Sequence, residues 1–139
     1  MTDWNTETYR LDLGVVGTTF DGRQKNLSVI KDKERKETVK YKLIRDKNNK
    51  FDKNAVRVVA VDKDDNKYDL GFISKDDNEG VAFALDNKSP CYIYNHIFIG
   101  GYNKKNHGLI VSVEYDIEYN KKLITKETIT KNFKKTKEA

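Results

Sequence analysis

Tyr9, Leu11, Leu13 and Val15 alternate with Arg10, Asp12 and Gly14, a period of two that predicts a half-buried strand running on toward Phe20. Asp21-Gly22 marks a turn after it. Leu27, Val29 and Ile30 then form one short helical face, or line an irregular turn, before the charge run from Lys31 to Glu37 ends the apolar pattern. That run interleaves both signs, as an exposed loop does. Val39, Tyr41 and Leu43 alternate with Lys40 and Lys42, giving a second strand that ends at Arg45. Beyond a polar stretch, the dense β-branched run from Ala55 to Val61 predicts a well-buried strand. Asp62 to Lys67 supplies a turn, and Tyr68 to Ile73 is the returning strand of a hairpin.

From Ser74 the period changes. Ser74 and Asp77 lie three apart, and Val81, Ala84 and Leu85 follow at helical spacing, which predicts a helix over 75–87. Pro90 stops it; Cys91 to Ile99 reads as a strand, Gly100 to Asn106 as a loop, and Gly108 to Tyr119 as a long strand. Leu109, Val111, Val113, Tyr115 and Ile117 share one parity and should face the core. Six strands, two short helices and no βαβ alternation predict a mostly β, α+β domain built as a small antiparallel β-barrel or strongly curled sheet. The expected organisation is an extension over residues 1–8, the barrel domain over 9–119, and a basic tail over 120–139.

Length and composition narrow the picture. At 139 residues the chain suits one domain with one core, and 37% hydrophobic against 35% charged residues describes a folded, soluble body. No run approaches the roughly 18 apolar residues of a membrane span, and the first ten residues lack a secretory pattern, so a cytoplasmic location is expected. Cys91 is the lone cysteine and reads as a small buried hydrophobe; with His96 and His107 it makes no cluster at metal-ligand spacing, and no metal or cofactor is expected. His96 lies in an apolar strand, where a structural role is the simpler reading. The formal charge of +5 sits in residues 120–139, which hold seven Lys and two Glu, leaving 20 basic and 20 acidic side chains in the body. Such a tail either attracts phosphates or is a solvated end.

The segment from Arg45 to Val58, RDKNNKFDKNAVRV, gathers the chemistry. Asn48, Asn49, Phe51, Asp52 and Asn54 put polar donors, an acid and a π-face on one loop before a buried strand. By itself this is equally an ordinary turn whose Asn and Asp side chains satisfy local backbone groups. The segment resembles the signature loop of the HIRAN family, in which Asn residues, an aromatic, an acid and Asn-Ala lead into a strand. Val16 to Gln24 is similar to that family's opening strand and turn, Leu70 to Lys75 to its Gly-containing stretch ending in a cation, and the helix after it, Ile99-Gly100-Gly101 and the strand from Gly108 to Tyr115 follow in the family's order. The resemblance spans about residues 12–115.

The resemblance implies a modified oligonucleotide-binding barrel that captures the free 3′ end of single-stranded DNA in repair or replication-fork processing, with a helicase or nuclease acting in trans. It implies that Phe51 stacks on the terminal base, Asp52 accepts a hydrogen bond from the 3′-hydroxyl, Asn49 helps hold the sugar-phosphate and Lys75 meets a phosphate. Phe20, in the opening turn, is either a second ring for the DNA or a core residue at a strand end. Lys50 and Lys53 stand where the family has prolines, adding positive charge to the loop.

An enzyme is not expected. Asp62, Asp64 and Asp65 lie in a hairpin turn and read as a solvated loop rather than a metal site, and neither a Gly-rich phosphate loop nor a Ser-His-Asp arrangement is present. The alternative is a protein-interaction or inhibitor module on the same scaffold, for which the charge-balanced body speaks.

Overall fold

The computed structural model describes residues 4–103 and 105–120. Its elements are β1 (Trp4–Val16), α1 (Arg23–Lys33), β2 (Lys40–Arg45), β3 (Val56–Val61), β4 (Lys67–Ile73), α2 (Glu79–Asp86), β5 (Cys91–Gly100) and β6 (His107–Asn120). The fold is mostly β with two short helices, and its single six-stranded antiparallel sheet curls into a half-barrel. The basic tail beyond Asn120 lies outside the described residues.

The strands expected from alternation are all present, with different ends. β1 starts at Trp4 rather than Tyr9, because residues 4–8 complete a ladder with β6 down to Trp4 opposite Asn120. Residues 4–8 of the expected extension are therefore sheet. At its other end β1 stops at Val16, and Gly17 leaves the strand with φ 73°, so Thr18 to Phe20 form a turn. α1 is a full helix over 11 residues that takes in Lys31 to Lys33 of the charge run. α2 is shorter than 75–87: Ser74 nucleates a turn, accepting the Asp76 amide on its hydroxyl at 3.3 Å and the Asp77 amide on its carbonyl at 2.9 Å, and Asn78 is the N-cap.

Sheet order is β2-β3-β4-β1-β6-β5. β1 pairs with β6 through residues 4–14 and with β4 through Val15 and Val16, so one bent strand joins the two halves and sets the curl. At the crossing the Gly71 backbone has φ 137°, and a Cβ there would lie 2.4 Å from the Val16 carbonyl oxygen; only glycine fits. The edges β2 and β5 approach each other and meet by side chains. The Tyr41 and His96 rings are 4.1 Å apart, and Glu34, just beyond α1, accepts the Tyr41 hydroxyl at 2.7 Å and lies 2.8 Å from His96 Nε2. The bulge between Ile93 and Asn95 falls in this stretch of β5, an irregularity of the kind that interrupts pairing.

Inside the curl, Leu11, Leu13, Val111, Val113, Tyr115 and Ile117 pack with Val56, Val58, Leu70 and Ile73, and α1 and α2 cover them with Leu27, Ile30, Val81 and Ala84. Each such aliphatic side chain contributes about 1.5–3 kcal/mol by leaving water. Cys91 sits at the margin of this core, and burial pushes its thiol up to about 12. A thiol so protonated is not a nucleophile.

Candidate nucleic-acid interface

Residues 46–55 connect β2 to β3, and their conformation follows from short polar side chains. The Asp46 amide donates to the Ala55 carbonyl at 3.0 Å, closing the neck. Inside, Asn49 Oδ1 accepts the amides of Phe51 at 2.9 Å and Asp52 at 3.0 Å, and Asp52 Oδ1 accepts the Asn54 amide at 2.9 Å. These are Asx turns, the arrangement that Asn and Asp favour because a short side chain mimics a backbone acceptor. From below, the Arg45 guanidinium donates to the carbonyls of Ala55 at 2.6 Å and Lys53 at 3.0 Å while pairing with Asp86 at 3.0 Å. That hydrogen bond from Arg45 holds the Asp86 carboxyl below the usual carboxylate range.

The turn pushes the Phe51 ring outward until it is 89% exposed. Asp52 remains half buried, and its Oδ2 accepts from Nδ2 of the buried Asn78 at 2.7 Å. Both donors to Asp52 are neutral, so they orient the carboxylate without cancelling its charge and leave lone pairs open. Lys75 reaches over from the β4–α2 connection, its Nζ 3.4 Å from the Phe51 carbonyl oxygen. Lys47, Lys50 and Lys53 are exposed on the same loop.

Four of the five residues singled out in the sequence thus form one cluster: Asn49, Phe51, Asp52 and Lys75. Asn49 spends its carbonyl oxygen on the turn, which makes it the organiser of the loop. Phe20 stands apart, in the turn after β1, where its amide donates to Gly17 O at 3.3 Å and its ring is 66% exposed. It is not a core residue. A chain of ion pairs connects its turn to the loop: Asp46 to Arg57 at 3.2 Å, Arg57 to Asp69 at 2.7 Å, and Asp69 to the buried Arg23 at 3.0 Å, whose NH1 donates to Gly17 O at 2.9 Å. Both guanidinium groups lie over the Phe72 ring, at 4.5 and 5.1 Å from its centre. Neither this chain nor Asn78 was foreseen; the only sequence signal was Arg57, a charge inside an otherwise apolar strand.

The carboxylates of the β3–β4 turn do different work. Asp62 is buried and accepts the amides of Asp64 and Asn66, the Asn66 side chain and the Tyr68 hydroxyl, all within 3.2 Å, with Lys33 Nζ at 3.5 Å. It is the internal brace of the turn rather than a solvated group, and among the described residues no cluster of His, Cys, Asp and Glu could hold a metal. Among the described residues no helix is long and apolar enough to cross a membrane.

No protein-family model matches this sequence, and no curated protein does. A crystal structure of a protein from Lactobacillus plantarum, solved as a structural genomics target, is similar to it with a TM-score of 0.53 and 21% identity, over 81% of this chain and 98% of that one. At that identity the likeness is one of fold.

Proposed function

We propose that this protein is a non-catalytic binder of single-stranded DNA that takes the free 3′ end at the 46–55 loop, in repair or fork processing in the cytoplasm beside a helicase or nuclease supplied in trans. The observation that carries the reading is the pairing of a fully presented ring, Phe51 at 89% exposure, with an adjacent carboxylate, Asp52, held by neutral donors among exposed lysines. Every base has a π-face, so the ring stacks on any terminal base. Lys47, Lys50, Lys53 and Lys75 draw in the phosphates. A lone acid in such a setting repels phosphate and is an asset only where a hydroxyl donates to it; an unlinked terminal sugar offers one. Phe20 is exposed enough to take a neighbouring base. The order of motifs, similar to that of the HIRAN family, supports the same reading.

Fluorescence anisotropy with a labelled oligonucleotide tests it. Phe51→Ala should cost about 1–3 kcal/mol of binding, the value of one base stack, while Lys134→Ala, far along the sequence in the basic tail, should cost little. Unchanged affinity in Phe51→Ala would remove the loop from the interface.

A further inference from the structure

The outer face of the β1–β6–β5 half of the sheet carries a second surface that shares no residue with the 46–55 loop. On β5, the side chains of Tyr92, Tyr94, Ile97 and Ile99 are each about half exposed, Ile97 to 56%. β5 is an edge of the sheet, and its ten residues include no Lys, Arg, Asp or Glu. The opposite edge, β2, has Lys40, Lys42 and Arg45 among six residues. Edge strands are ordinarily guarded by charge, lysine above all; β2 carries that charge, while β5, which meets β2 through His96, leaves its outward row of apolar side chains uncovered. With roughly 200 Å² per side chain, the four offer on the order of 400 Å² of largely apolar surface, within the range of the largest apolar patch on an ordinary monomer, which is often a functional one.

Beside this row the sheet is acidic. Asp12, Glu114, Asp116 and Glu118 occupy the outward positions of β1 and β6, opposite in parity to the buried Leu11, Leu13, Val113, Tyr115 and Ile117. Asp12 accepts the Ser112 hydroxyl at 2.6 Å and Asp116 the Thr8 hydroxyl at 2.7 Å; these neutral donors fix the carboxylates and leave their charge in place. Glu114 is shared between Arg10 and the Tyr92 hydroxyl.

We propose that this face docks a basic segment of a partner protein, one rich in Lys or Arg with aliphatic or aromatic anchors that cover the row from Tyr92 to Ile99. Charge selects the occupant: the acids repel the phosphates of a nucleic acid, and a second copy of this face would set like charges against each other. The surface is independent of the DNA-binding loop, so either reading can fail without the other.

The test uses the full chain and a labelled peptide of about ten residues, the length of a long strand, alternating Lys with Ile and Tyr, beside a matched peptide with Glu for every Lys. The basic peptide should bind at least roughly tenfold tighter. Ile97→Ser should weaken it, Asp12→Lys with Asp116→Lys should reverse the preference, and Phe51→Ala should leave it unchanged. Thermal melting checks that each variant folds. Equal binding of the two peptides, or a preference that the charge reversal does not move, overturns the proposal. A dimer of the protein alone in sedimentation that Ile97→Ser dissolves overturns it too, because the face would then be a self-interface.

Discussion

Phe51 and Phe20 stand in water at 89% and 66% exposure, and neither ring contributes to the core by doing so. Substituting an exposed side chain usually moves stability by no more than about 0.5 kcal/mol, so the binding loss expected for Phe51→Ala should come with an unchanged melting curve. Asp62 is the opposite kind of residue, buried and committed to folding. Burial raises its pKa, but the hydrogen bonds from Asn66, Asp64 and Tyr68 outweigh that effect and hold it at about 2 against an ordinary 3.8. A carboxyl whose folded pKa is depressed contributes stability above its unfolded pKa and loses it as pH falls through the folded one. Urea titrations of the wild type and Asp62→Asn should therefore show a difference that is full above about pH 4–5 and shrinks toward pH 2. A constant difference across that range would mean the turn is held by shape rather than by charge.

At the scale of elements, the N-terminus of α2 is tied to the loop. Asn78 makes no side-chain cap to its own helix; its carbonyl accepts the Ala82 amide at 2.8 Å, and its Nδ2 is given to Asp52. A hydrogen bond to a charged group is worth about 1.5–3 kcal/mol. Asn78→Ala should lower stability by about that amount in denaturant titrations, and it should reduce the discrimination between free and blocked DNA ends more than overall affinity. An unaltered end preference would show that Asp52 needs no holder. Strands with one wet and one dry face, such as Tyr9 to Val15 and Leu109 to Ile117, were legible by parity, and β3, buried at nearly every position, by its dense β-branched run. Their ends were not: Trp4 to Thr8 are drawn into β1 by β6, more than a hundred residues away. The Asn49-Phe51-Asp52 loop was legible because Asx turns are local. Asn78, 26 residues from Asp52, and Asp69, 46 residues from Arg23, became partners only through the curl of the sheet, which no local pattern encodes.

Across the whole molecule, a body with equal numbers of acids and bases is sorted into regions. Lysines surround Phe51, acids line the outer rungs of β1 and β6, and the edge β5, without Lys, Arg, Asp or Glu, runs beside them. Net charge alone points to the tail, whereas the function proposed above rests on the loop. The most direct measurement compares two single-stranded oligonucleotides of one sequence, one ending in a free 3′-hydroxyl and one in a 3′-phosphate, by anisotropy at fixed salt. Preference for the free hydroxyl by roughly tenfold or more, about 1.4 kcal/mol, that Asp52→Ala abolishes is the expected result. Equal affinity for the two ends, or a preference that survives the loss of Asp52, would contradict it.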